Sequence, residues 1–140
     1  LRRLSFFNSF TETEADEVLS VCQLKAFAAG KLVLDEGEID NVFLIIASGQ
    51  AIVKRGDKPV QVLSKGDCFG EISLLGDVRR SVSVTAASQV LVLKINATLL
   101  DRLDKDSQLR FYQTFTLTLL SRLTVTSNRT ATSTGENSLT

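Results

Sequence analysis

The stretch Val42-Phe43-Leu44-Ile45-Ile46-Ala47-Ser48-Gly49-Gln50-Ala51-Ile52-Val53-Lys54-Arg55-Gly56-Asp57-Lys58-Pro59-Val60-Gln61-Val62-Leu63 decides the fold class. It holds three short runs rich in β-branched residues, at 42–46, 50–54 and 60–63. Each run is too short for a helix, and turn-forming residues separate them. Arg55-Gly56-Asp57-Lys58 reads as a hairpin tip, and the chain's only proline, Pro59, sits just after it.

The same punctuation continues on both sides. Gly30, Gly37, Gly49, Gly56, Gly66, Gly70 and Gly76 are seven of the eight glycines, all within residues 30–76. That density selects many short strands over long helices. Further strands are expected at 24–27, 31–34, 81–85 and 89–95. Strands this short, with connections this tight, fit a sandwich or barrel, and a jelly roll suits their number. The expected class is mainly β with flanking helices: a double-stranded β-helix barrel over residues 24–96.

The flanks change period. Residues 1–23 form the expected N-terminal helical segment. Thr11-x-x-Glu14 is a capping-box pattern, and Ala15, Val18, Leu19 and Cys22 recur at helical spacing. Leu4, Phe6, Phe7 and Phe10 make an apolar cluster able to pack that helix onto the β region. Residues 97–128 return to helix: a short one over 97–103, then a long one from about 108 to 127, capped by Asp106 or Ser107. Its apolar positions form two stripes. Leu109, Tyr112, Leu119, Leu120 and Leu123 make one; Phe111, Phe115 and Val125 lie to the side. A width beyond one contact suggests one face on the barrel and one on a partner helix. Residues 129–140, rich in Ser, Thr and Asn, are expected to be a disordered tail.

Composition limits the chemistry. The chain has 140 residues, 15.3 kDa and 44% hydrophobic residues, so one domain with a sizeable core is expected. Sixteen Lys+Arg balance sixteen Asp+Glu, which argues against a general polyanion binder. There is no histidine, so the commonest general base and zinc ligand are missing and no His-based triad is available. Cys22 and Cys68 lack CxxC spacing and read as free thiols in a reducing compartment. The longest apolar run, 42–47, is far short of the ~20 residues of a membrane span. A cytoplasmic location is expected. With no methionine present, Leu1 is not a translation start, and further residues are expected upstream.

The remaining signal is Gly66-Asp67-Cys68-Phe69-Gly70-Glu71-Ile72-Ser73-Leu74-Leu75-Gly76-Asp77-Val78-Arg79-Arg80-Ser81-Val82-Ser83-Val84. Gly70 lets the backbone turn and approach a ligand closely. Residues 71–75 have the length of one or two helical turns, whose first amides lack partners and favour an anion. The Arg80 guanidinium suits phosphate oxygens, and Ser81 adds a hydroxyl beside it. A carboxylate at Glu71 repels phosphate but accepts from ribose hydroxyls, so the set suits a nucleotide. Equally, Glu71 and Arg80 could simply pair across the loop.

The string FGEISLL…RRSVSV, preceded by GD, resembles the phosphate-binding cassette of cyclic nucleotide-binding domains. That family includes bacterial catabolite activators, protein kinase A regulatory subunits and nucleotide-gated channels. Ala29-Gly30-Lys31, Glu36-Gly37-Glu38 and Phe43…Ser48-Gly49-Gln50 resemble the family's β-barrel glycine turns, and the likeness runs from about residue 4 to 129. It implies that Arg80 pairs with the cyclic phosphate and Glu71 accepts the ribose 2′-hydroxyl. Phe69, Gly70, Ile72, Ser73, Ser81 and Val82 would line the sugar-phosphate. Arg79 departs from the proline common there in eukaryotic members. Residues 122–127 resemble the stretch whose hydroxyls meet the base, which implies Thr126 and Ser127 as base contacts.

The implied function is a non-enzymatic cyclic nucleotide sensor, cAMP favoured, signalling through its C-terminal helix, with no cofactor and no metal. Implied partners are the nucleotide, a second copy met through that helix, and an effector outside this chain. A cGMP-preferring module, a non-binding dimerisation scaffold and a fragment of a cAMP-responsive transcription regulator remain alternatives. Nothing after Ser127 resembles a helix-turn-helix, so this chain is not expected to bind nucleic acid itself.

Overall fold

The computed structural model describes residues 4–35, 42–70 and 82–136, and for residues 122–136 the backbone alone. A 3-10 turn, Ser5–Phe7, leads into α1, Glu12–Ser20. The strands are β1 (Cys22–Phe27), β2 (Leu32–Leu34), β3 (Val42–Ser48), β4 (Ala51–Arg55), β5 (Lys58–Leu63), β6 (Cys68–Gly70), β7 (Val82–Ala86) and β8 (Val90–Asn96). Helices α2, Ala97–Leu100, and α3, Lys105–Glu136, complete the chain.

The strands form two antiparallel four-stranded sheets, ordered β1-β8-β3-β6 and β2-β7-β4-β5. This is the expected mainly β jelly-roll class, with one correction: among the described residues the barrel is not closed. β1, β6, β2 and β5 remain edges. Pro59 lies inside β5 rather than before it, opposite Lys54 and beside a register shift between Val53 and Lys54. An edge strand tolerates it because one side of its backbone needs no ladder partner.

The period of two sorts each central strand between two cores. Leu44 and Ile46 of β3, with Val90 and Val92 of β8, meet Val53, Leu63 and Val84 between the sheets. Phe43 and Ile45, with Leu93 and Ile95, face the helices instead. Lys94 lies on the inter-sheet side, only 9% exposed, its Nζ 5.5 Å from the centre of the Phe27 ring. Its long apolar stem buries while the ammonium gains the ring's negative face.

The helical side is held by aromatic rings. Phe6 sits 5.4 Å from Phe111, and Phe43 lies 5.1 Å from Phe111 and 4.9 Å from Phe115. The expected capping box of α1 is present: Thr11 Oγ1 accepts from the Glu14 amide, and Glu14 Oε1 accepts from the Thr11 amide. That same oxygen accepts from Arg110 Nε at 3.1 Å, which ties α1 to α3. The two hydrogen bonds and the guanidinium charge hold the Glu14 carboxyl below its ordinary range, the Thr11 amide contributing most.

Several boundaries differ from expectation. Cys22 opens β1 opposite Ile95 rather than closing the helix, because α1 ends at Ser20. The short helix stops at Leu100, and α3 begins at Lys105, so Asp106 and Ser107 lie within its first turn. Asp104 provides the first carbonyl, accepting from the Gln108 amide at 3.0 Å. The burial of α3 assigns its stripes. Ser107, Phe111 and Phe115, four residues apart, are buried, whereas Leu109, Leu117, Leu119 and Leu120 are exposed. The α3 backbone continues to Glu136, into the 129–140 stretch that was expected to be a tail. Ser, Thr and Asn each cost a helix only a few tenths of a kcal/mol, roughly, and no proline interrupts them.

Candidate functional site

The segment singled out by sequence is framed by two anchored strand ends. β6 runs beside β3, with Cys68 opposite Ile45, Phe69 opposite Leu44 and Gly70 opposite Phe43. β7 then starts in the other sheet, with Val82 opposite Arg55 of β4. Residues 71–81 therefore have to cross from one sheet to the other. Glu71, Ile72, Ser73, Arg80 and Ser81 fall in that interval and lie outside the described residues. Thr126 and Ser127 lie on the α3 backbone, with their side chains likewise outside the description.

The entrance to the crossing is built by a turn over Ser64–Asp67. The Asp67 amide donates to the Ser64 carbonyl at 2.9 Å, and Asp67 Oδ2 accepts from the Ser64 amide at 2.7 Å. Gly66, at φ +89°, takes the third position, where glycine suits the positive dihedral. The turn is then fixed to β3, since Gly66 donates to Ile46 O and Ile46 donates to Asp67 O, both at 2.9 Å. Sequence reading missed β6 itself. Three residues between glycines carry no periodic signal, and their partner lies more than twenty positions upstream.

Gly70 has φ +143°, and a Cβ there would fall 2.6 Å from Val42 O and 2.8 Å from Phe43 Cα. Both obstacles are backbone, so no side-chain rotation relieves them. Phe69 and Val82 turn into the inter-sheet core and tether the two ends of the crossing. Lys94, Leu44 and Phe69 form one register row across β8, β3 and β6. At the return end, Arg55 has Val82 on one side and Lys58 on the other. Both cations are exposed at a hairpin tip that also carries the exposed Asp57.

β6 is also in touch with the terminal helix. The buried Cys68 thiol lies 3.9 Å from the Phe115 carbonyl, which its Sγ–H faces. Cys22 and Cys68 are both thiols rather than disulfide-bonded. Burial pushes the Cys22 thiol up to about 12, so it stays protonated and is no nucleophile at neutral pH. Among the described residues there is no group of His, Cys, Asp and Glu able to hold a metal ion. No described helix is long and apolar enough to cross a membrane.

The family profile described as "Cyclic nucleotide-binding domain" matches residues 24–107 of this chain. A cGMP-dependent protein kinase from Eimeria tenella is 35% identical over 102 residues, covering 73% of this chain and 10% of the kinase. A cAMP-dependent protein kinase regulatory subunit from Hypocrea atroviridis is 32% identical over 103 residues, covering 74% of this chain and 22% of the subunit. The chain thus spans a quarter or less of the length of these curated relatives. The solved catabolite activator protein of Thermus thermophilus superposes with a TM-score of 0.62 at 24% identity, covering 94% of this chain and 63% of that one.

Proposed function

The chain belongs to the cyclic nucleotide-binding domain family, and we propose that it is a regulatory module binding one cyclic nucleotide, cAMP in preference to cGMP. The carrying observation is the frame around residues 71–81. A backbone too crowded for any side chain at Gly70 leads into Glu71, and a strand anchored in the opposite sheet comes after Arg80 and Ser81. In this reading Arg80 pairs with the cyclic phosphate, and the amides after Gly70, with Ile72, Ser73 and Ser81, complete the anion's shell. Glu71 accepts the ribose hydroxyl, while Phe69 and Val82 form the apolar sides. Thr126 and Ser127 meet the base.

The module performs no chemistry of its own. Its output is linkage: the nucleotide favours one position of α3, and that position biases a second copy or an effector outside this chain. Contact between Cys68 and Phe115 supports this, since it joins the cassette's entry strand to α3. The exposed Leu109, Leu117 and Leu120 support α3 as the surface that meets a second copy. Coupling of ~1–3 kcal/mol suffices for such a switch.

Isothermal titration of variants tests the assignment. Arg80→Ala is expected to weaken cAMP binding by roughly 2–5 kcal/mol, because a buried phosphate loses its charged partner. Glu71→Ala is expected to cost less, with one hydroxyl–carboxylate bond at stake. Unchanged affinity in Arg80→Ala would remove the cassette assignment, and tighter binding of cGMP than cAMP would reverse the base preference.

A further inference from the structure

Each sheet ends in two strands that, among the described residues, are paired on one side only. Such an edge can add a strand from another chain unless it is very short, kinked or interrupted. Three of the edges carry such a device. β2 and β6 have three residues each, and β2 also holds a register shift between Leu32 and Leu34. β5 contains Pro59 and lies opposite the register shift between Val53 and Lys54. β1 has none of these. It pairs with β8 in unbroken register, from Cys22 opposite Ile95 to Phe27 opposite Val90, and Lys25 is its one charge.

Gln23, Leu24, Lys25 and Ala26 are all exposed, so both faces of β1 reach solvent. The turn after Phe27 leads the chain away from this edge, because Gly30 donates to Ala86 O of β7, in the other sheet, at 2.8 Å. We propose that β1 is a self-association edge. The β1 strand of a second copy pairs with it antiparallel about a two-fold axis, Leu24 opposite the second copy's Leu24, and joins the two copies' sheets into one.

Two rules select that register. In an antiparallel pair, alternate residues point both N–H and C=O at the neighbour, so two identical strands meet with a residue on the axis rather than a peptide bond. With Gln23 on the axis, Ala26 falls opposite Ser20, which belongs to α1. With Ala26 there, Leu24 falls opposite Ala28 in the turn whose carbonyl holds the Lys31 amide. With Lys25 there, two ammonium groups stand directly opposite, which is unfavourable. With Leu24 there, two leucines that are each 48% exposed cover one another. Lys25 then faces the second copy's Gln23, and Cys22 faces the small Ala26. This self-complementarity is what points to a second copy as the occupant. The contact is small and separate from α3, so the association is weak.

Sedimentation equilibrium of the full chain, from about 10 µM to about 1 mM, covers the range expected of so small a contact. A monomer–dimer equilibrium is expected. Leu24→Lys should weaken it by about fivefold or more, and Gln23→Glu should tighten it by about threefold or more through two symmetry-related ion pairs with Lys25. Leu24→Cys under mild oxidation should give a disulfide-linked dimer, since directly opposed residues lie about 4.5–5.5 Å apart between Cα atoms. Gln23→Cys and Lys25→Cys should not, because each stands about 8 Å from its own counterpart on the diagonal. The native thiols do not compete, as Cys68 is buried and Cys22 stays protonated. A chain that stays monomeric overturns the pairing. So does association that Leu24→Lys leaves unchanged or Gln23→Glu fails to tighten, or cross-linking stronger at Lys25→Cys than at Leu24→Cys.

Discussion

At Gly70 the absence of one methyl group decides how β6 can approach β3. An added Cβ would meet backbone atoms of Val42 and Phe43 at 2.6 and 2.8 Å, at a φ that side chains rarely adopt. Gly70→Ala should therefore cost about 2–4 kcal/mol in urea unfolding, combining strain with overpacking. Gly56→Ala, at φ +62° with nothing within 4 Å, should cost only about 1–2 kcal/mol. The sequence pointed to Gly70 through its closeness to a ligand; the crowding by β3 depends on a non-local pairing that no local pattern reveals. Glu14 supplies a pH signature. Its folded-state pKa lies below the ordinary 4.5, so its stabilising contribution is present above that value and lost as pH falls through the folded one. Thermal melts should show wild type losing more stability below pH 4.5 than Glu14→Gln. The raised Cys22 thiol predicts slow alkylation by iodoacetamide in mildly alkaline buffer in the native chain and rapid alkylation once urea unfolds it.

Helix α3 shows why an apolar stripe does not by itself name its partner. Periodicity offered a leucine stripe and an aromatic one, and the sheet took Phe111 and Phe115. Ring geometry fits the choice, because Phe43 on β3 makes a T-shaped pair with each. Phe111→Ala should destabilise the fold by about 3–5 kcal/mol, whereas Leu120→Ala, 52% exposed, should change it by less than about 0.5 kcal/mol. Calorimetric unfolding of both variants distinguishes the two stripes. At the other end of the chain the capping box was legible from Thr11 and Glu14 because its chemistry is local. Thr11→Ala should cost roughly 1 kcal/mol in the same measurement. β6 was illegible for the converse reason: it exists only through its pairing with β3.

Across the whole molecule, the two sheets keep their hydrophobic contents separate from those under the helices, and residues 71–81 have to bridge the sheets. Short apolar runs punctuated by glycines made the β architecture readable, while the open edges depend on strand order, which such runs do not encode. The family match over residues 24–107 spans both sheets and the first residues of α3. The cassette's roles came from a specific string of residues and rest on ligand binding. A ligand at a hundredfold excess over its dissociation constant stabilises the folded state by about 2.7 kcal/mol, so cAMP should raise the melting temperature by roughly 8–10 °C. The most direct measurement is isothermal titration of the folded chain with cAMP. Saturable binding of one nucleotide per chain is the predicted result; a folded chain that binds neither cAMP nor cGMP at millimolar concentration would contradict the account.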